Sequence, residues 1–329
     1  MVPGEVRGQQ MGPVLSDQAQ LSLITVLPGD ELYSLFGHSA FRVYDPATGV
    51  DELFNYGTFD FSNPVTFALK FAYGKMDYML STTSYPREAY LYATYEKRPI
   101  IEQVLNLSPD QVRVVYQFLQ TNALPENRTY RYDFLFDNCS TRLRDVLTTT
   151  LDGDVRFAPV PDPNESFRHL LDPYVADRPF LDLGFDLLLG MPTDRVATPR
   201  EATFLPDYLM ASFAHAKVTV DGTIQPLVAR TDTVFWTPSR GRKQAALPYP
   251  AILFWLVFAG GAVLTYLEVR RGGPSGRVFD GVLFGIVGLV GLLIAFMWFV
   301  TEHTVTAWNL NLLWAWPTHL VAAVYIWRA

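Results

Sequence analysis

Tyr132-Asp133-Phe134-Leu135-Phe136-Asp137-Asn138-Cys139-Ser140-Thr141-Arg142-Leu143 is the stretch on which the reading of the chain turns. It holds Cys139, the only cysteine in 329 residues. After it, Leu143, Val146, Leu147 and Leu151 recur at helical spacing. Asp137 or Asn138 is a good N-cap, so Cys139 falls in the first turn of a helix. There the free N–H groups and the helix dipole favour the thiolate, the form that attacks carbonyl carbon. On residue type alone, a lone cysteine is more often a small buried hydrophobe. A single cysteine excludes an internal disulfide.

Cysteine catalysis also needs a base and a group that orients it. Leu21 to Leu27 reads as a strand, and Ser39 to Asp45 as a second. Pro46-Ala47-Thr48-Gly49 turns the chain into a third, Glu52 to Tyr56. His38 stands at the entry to the second strand and Asn55 on its partner, at the same end of one hairpin. His38 is the candidate base, because imidazole titrates near neutrality. Asn55 is the candidate for holding the imidazole. The backbone N–H of Cys139 and of a neighbour are candidates for an oxyanion hole.

The remaining elements surround this pair. Phe59, Phe61, Phe67, Phe71, Tyr73, Tyr78, Tyr85, Tyr90, Tyr92 and Tyr95 make residues 59–100 aromatic, either as core or as an apolar groove for a long chain. Pro86 to Lys97 is expected to be a helix. Ser108-Pro109-Asp110-Gln111 opens another that runs to about Asn122. Asp152 to Pro179 reads as more loop than element; Leu181 to Pro192 and Thr203 to Ala216 read as helical or mixed. Asp221-Gly222 signals a hairpin between Lys217–Val220 and Ile224–Val228.

The composition then changes. Tyr249–Leu267 and Gly281–Val300 carry no charge. Trp308–Trp327 is mostly apolar but contains Asn309, Asn311, Pro317 and His319. Each is about 20 residues, the length that crosses a bilayer, so three transmembrane helices are expected. The expected organisation is a polar, disordered 1–18, an α+β domain over 19–236, a basic linker over 237–247 and a membrane region over 248–329. Residues 1–18 hold no apolar core of an export signal. The chain stops directly after the third span, which leaves room for further spans. Arg270, Arg271, Arg277 and Arg328 on one side against Arg240, Arg242 and Lys243 on the other decide orientation only weakly.

Net charge is −7 and no Lys/Arg-rich run occurs, so nucleic acid is not an expected partner. The histidines, at 38, 169, 215, 303 and 319, include no pair at metal-ligand spacing, so neither a metal nor another cofactor is expected. His169 and His215 read as surface residues. His303, Asn309 and Asn311, in or beside the third span, are either functional or headgroup-bonding. Asn138, Tyr56 and Arg142 are candidates for supporting or substrate-binding roles. Arg142 is either a phosphate contact or an ordinary helix-surface arginine.

The segments Phe36-Gly37-His38-Ser39-Ala40-Phe41-Arg42-Val43, Phe54-Asn55-Tyr56-Gly57-Thr58-Phe59-Asp60-Phe61 and Tyr130 to Asp145 resemble a bacterial family of membrane proteins with a periplasmic domain. The family is that of the Lnb-like lipoprotein N-acyltransferases. Leu189-Gly190-Met191-Pro192-Thr193-Asp194-Arg195, Phe204-Leu205-Pro206-Asp207-Tyr208-Leu209 and His303 with Asn309 and Asn311 extend the resemblance over roughly residues 20–320. A papain-type enzyme has its cysteine first and its histidine later. The reversed order here is similar to the circularly permuted NlpC/P60 branch of that fold, and fold alone does not fix reaction.

The resemblance implies a permuted papain-like domain on the periplasmic side of the inner membrane. It implies a two-step acyl transfer: Cys139 takes an acyl chain from a phospholipid, and the α-amine of a diacylglyceryl-cysteine lipoprotein then takes it from the thioester. His38 would act as base and acid. Membrane, phospholipid and lipoprotein are the implied partners. The competing classes are an NlpC/P60-type cell-wall peptidase or amidase, and a membrane-anchored binding module with a structural cysteine.

Overall fold

A computed structural model describes residues 12–59, 66, 70, 72–75, 77–158, 164–237, 247–271 and 276–328. They form two compact units. The first takes the described residues of 1–63, 76–163 and 198–241; the second takes those of 64–75, 164–197 and 242–329.

The first unit is a seven-stranded antiparallel sheet with helices on its faces. Its strands are β1 (Gln20–Val26), β2 (His38–Asp45), β3 (Val50–Phe59), β4 (Asp77–Ser84), β5 (Ile100–Leu105), β6 (Thr129–Arg131) and, at the far edge, Val228–Phe235. The spatial order is Val228–Phe235, β5, β1, β2, β3, β4, β6. Val26 pairs with His38 and Phe41 with Phe54, so the expected hairpin forms. The helices are α1 (Tyr85–Leu91), α2 (Pro109–Asn122), α3 (Cys139–Thr150), and the segment Pro206–His215.

Side chains alternate across the sheet. One face carries Leu21, Leu23, Phe41, Val43, Phe54 and Tyr56 into a core with Val115 and Leu119 of α2, Leu143 and Leu147 of α3, and Leu209 and Phe213. The other carries Ile24, Val26, Ala40, Leu53 and Ile100 against Tyr85 and Tyr92. Each such buried apolar side chain contributes about 1.5–3 kcal/mol. A full capping box, Ser108 with Gln111, starts α2 as its sequence predicts.

The helix expected over 86–97 forms, as α1 running straight into a π-helical turn at Tyr92–Glu96. Other expectations are corrected. Within the stretch read as more loop than element, the described residues Phe167–Val175 form a helix capped by Ser166. By contact, residues 164–197 group with the second unit. The hairpin at Asp221-Gly222 forms, between Lys217–Val220 and Thr223–Pro226, with both turn residues at positive φ.

In the second unit, Tyr249–Arg271 and Arg277–Phe299 are helices long and apolar enough to cross a membrane. The expected third span, 308–327, is not one helix. Turns at Thr304–Thr306 and Leu310–Leu313 precede a helix, His319–Arg328, of 10 residues. That helix spans about 15 Å, half the hydrocarbon thickness. The break has local causes. Trp308 is left-handed, at φ 53°. Asn309 caps the second turn by accepting the N–H of Asn311 at 3.0 Å. Pro317 has no N–H to donate. Gly291 of the long helix lies so close to this segment that a Cβ there would overlap the Ala315 carbonyl.

Candidate active site

The site in the first unit begins with a helix cap. Asn138, extended at φ −124°, accepts the N–H groups of Ser140 at 2.9 Å and Thr141 at 3.1 Å through Oδ1. The hydroxyl of Thr141 accepts the N–H of Asn138 at 2.9 Å in return. The Asn138 amide also donates to the carbonyls of Phe134 and Phe204, both at 2.9 Å. Asn138 is therefore the cap, and all its side-chain valences serve structure. Of the first-turn N–H groups, this cap takes those of Ser140 and Thr141. It does not take the Cys139 N–H.

Asp137 does a different job. Its carboxylate grips Arg142 in a two-pronged pair, 2.6 Å and 2.7 Å. The guanidinium lies over the Tyr130 ring, 3.6 Å from its centroid. Arg142, a candidate phosphate contact in the sequence, is thus committed within the fold. Tyr56 is buried: its hydroxyl donates to Asn122 at 2.7 Å and its carbonyl accepts the Tyr130 hydroxyl. It is a core residue.

His38 is half-buried at the start of β2. Its Nε2 lies 2.9 Å from Asn55 Oδ1, and the same oxygen accepts the N–H of Gly57 at 2.6 Å. The backbone donor fixes which end of the Asn55 amide is oxygen. An amide oxygen only accepts, so Nε2 carries the proton and Nδ1 is left as the basic nitrogen. Gly57 sits in a bulge of β3, where pairing with β4 shifts between Asn55 and Thr58. A Cβ on Gly57 would stand 2.6 Å from His38 Cε1, so only glycine permits this approach.

Cys139 is half-buried, with its sulfur 4.0 Å from the Ser140 hydroxyl, which donates to Ser39 Oγ at 3.3 Å. Burial pushes the thiol up. His38, by charge and by hydrogen bond, with the Ser39 N–H and the Ser140 hydroxyl, outweighs it, so the thiol lies below its ordinary value. Aromatic rings stand beside the thiol: Tyr78 stacks on Tyr132 with centroids 4.1 Å apart. Phe134 packs between Phe36 and Phe204. Burial raises both tyrosines, Tyr78 to about 12, and the nearby Cys139 adds to it.

Cys139 at the start of α3, His38 at the start of β2 and Asn55 beside the β3 bulge thus come together. A base aimed at a thiol at a helix start is an arrangement for nucleophilic attack on a carbonyl. Ser39, Ser140 and Gly57 are parts of it that the sequence reading did not single out. An Asn-x-Gly inside a strand pattern is the signal that could have found Gly57.

Other expectations lie elsewhere. Two cavities among the described residues flank α3, and neither of them is lined by Cys139 or His38. Of the expected aromatic groove, Phe61, Phe67 and Phe71 lie outside the described residues, Tyr85 and Tyr92 are core, and Tyr90 and Tyr95 are exposed. His303, Asn309 and Asn311 belong to the second unit. The Asn309 amide donates to the Leu187 carbonyl at 2.7 Å, and that of Asn311 to the Asp186 carbonyl at 2.9 Å. Both asparagines fasten the broken segment to the helix Pro179–Leu188. The His303 carbonyl accepts the Thr306 N–H at 3.2 Å. His169 and His215 are exposed, as expected.

A family model described as the Lnb N-terminal periplasmic domain matches residues 13–172. One described as the Lnb transmembrane domain matches residues 242–329. No curated protein and no solved structure matches the chain.

Proposed function

The chain belongs to the Lnb family, as a membrane-anchored protein with a periplasmic domain, and from that membership and the Cys139 geometry we propose that it is a lipoprotein N-acyltransferase. The observation that carries the reading is the thiol at the first residue of α3, lowered by a His38 that Asn55 orients. The His-before-Cys order supports a circularly permuted papain-like core, and the two apolar helices support an inner-membrane location.

The proposed reaction has two halves. The Cys139 thiolate attacks an ester carbonyl of a phospholipid, and the Cys139 N–H faces the oxyanion. The C–O bond breaks, protonated His38 gives its proton to the leaving alkoxide, and a lysophospholipid departs. The lipoprotein's α-amine then attacks the thioester. His38 takes the amine proton, the C–S bond breaks, and an amide and a free thiolate result. The stacked Tyr78 and Tyr132 beside Cys139 shield the thioester from water.

Intact-mass spectrometry of the full chain incubated with phospholipid vesicles tests this. One acyl chain should add, be removed by hydroxylamine, and be missing from Cys139→Ala. It should pass to a diacylated lipopeptide added afterwards. No acyl adduct, or one that survives in Cys139→Ala, overturns the reading. Cleavage of cell-wall peptides by Cys139 would replace it with a peptidase.

A further inference from the structure

One cavity of the first unit, not lined by Cys139 or His38, holds two arginines. It lies between α3 and the segment 200–203, and Thr141, Arg144, Asp145, Arg200, Glu201 and Thr203 contribute to its wall. Arg144 is the anomaly there. Its Nε is buried and has no hydrogen-bond partner, and Nη1 reaches only the Arg200 carbonyl, at 3.4 Å. A buried donor left unmade is costly, more so on a charged group. Nearly every buried polar atom is satisfied, so such an orphan calls for an explanation.

The charges around it point the same way. The aliphatic and aromatic side of Arg144 is satisfied, since its guanidinium lies 4.9 Å from the centre of the Phe157 ring. Burial, with the like charge of Arg200 next, pushes Arg144 down to about 10, while Asp145 opposes this. Asp145 itself is 3.1 Å from an Arg200 Nη, in a pair open to water. Such exposed pairs are weak and exchange readily with another anion. Glu201 is engaged by the Thr198 N–H and hydroxyl, both at 2.9 Å. Two guanidiniums therefore face one concavity, one with an unmade donor and the other held by an exchangeable carboxylate. Guanidinium pairs of this kind match the oxygens of a phosphate, which takes two-pronged bonds from each.

We propose that this cleft binds a phosphate group through Arg144 and Arg200, with Asp145 as the intramolecular competitor that the phosphate displaces. The phosphate is that of a lipid headgroup or of a soluble phosphate. The proposal stands apart from the acyl-transfer reading, because the cleft does not include Cys139.

The test is titration calorimetry on the detergent-purified full chain. The titrants are inorganic phosphate, short-chain phosphatidylglycerol below its micelle concentration, and the matching phosphatidylcholine. Arg144→Gln and Arg200→Gln should each weaken binding by about tenfold or more, the scale of one lost charge-assisted bond. Asp145→Asn, a change at an exposed position, should tighten it several-fold. Binding of phosphatidylglycerol alone identifies a lipid headgroup site; binding of phosphate as well identifies a site for the bare anion. If no titrant binds, or Arg144→Gln binds unchanged, or Asp145→Asn fails to tighten binding, the proposal is wrong. Thioester formation at Cys139 is a separate measurement, so the two readings fail independently.

Discussion

Asn55 holds His38 through a single oxygen, 2.9 Å from Nε2, and that oxygen is itself anchored by a backbone N–H. The imidazole is thereby fixed in tautomer as well as in place. Asn55→Ala should slow thioester formation on the order of 10²-fold, the cost of a misplaced catalytic group. Asn55→Asp keeps the acceptor and should retain more activity, with its pH profile moved upward because the added charge favours the imidazolium. Single-turnover acylation at several pH values measures both. An Asn55→Ala protein that acylates at the native rate would show that this contact is structural only.

His38 and the thiol are linked through charge. The Cys139 thiol lies below its ordinary value because His38 and the neighbouring donors outweigh burial. The thiolate is therefore present at pH values where a free cysteine, with a pKa of about 8.5, is still protonated. Iodoacetamide alkylation followed against pH should show a midpoint below that value. His38→Ala removes the leading opposing influence, so the midpoint should rise. A midpoint unmoved by His38→Ala would separate the two residues.

Gly57→Ala isolates geometry from chemistry. The added Cβ would press on His38 Cε1 while leaving the Cys139 thiol, the His38 imidazole and the Asn55 amide in place. Acylation should fall by about 10²-fold, with the alkylation midpoint shifted upward. An unchanged rate would mean that the bulge absorbs a methyl group.

Asn138→Ala tests the cap. It removes the acceptor for two N–H groups and the donor for two carbonyls. The loss should be about 2 kcal/mol, which is roughly 4–8 °C in unfolding temperature for a domain of this size. Thermal unfolding by circular dichroism reads it. Asn138→Asp keeps the cap but loses the donors and should fall between.

How far the sequence disclosed this depends on the scale of the signal. Cys139 at a helix start and His38 with Asn55 on one hairpin are local patterns, and they were legible. The choice between Asp137 and Asn138 as cap was not. It turns on the Phe204 carbonyl, 66 residues away, and on Arg142 claiming the carboxylate. The third span failed for a related reason. Averaged apolarity outweighed Asn309 and Pro317, both visible in the span, and gave no sign of the left-handed Trp308; together they stop the helix one residue at a time. The polar residues that drew attention there, Asn309 and Asn311, hold backbone carbonyls of another segment. The pairing of Arg144 with Arg200, 56 residues apart, needs the tertiary fold.

The start of β2 carries a further consequence. Adjacent residues of a strand face opposite ways, yet the thiol takes its hydrogen bonds from the side chain of His38 and the main chain of Ser39. If β2 slipped by one position against β1, the imidazole would turn to the other side of the sheet. A misthreaded chain would then keep its cysteine, but its thiol would lose the lowering that His38 gives it. The alkylation midpoint of Cys139 is thus a built-in gauge of correct strand pairing, readable on an unlabelled sample without any substrate.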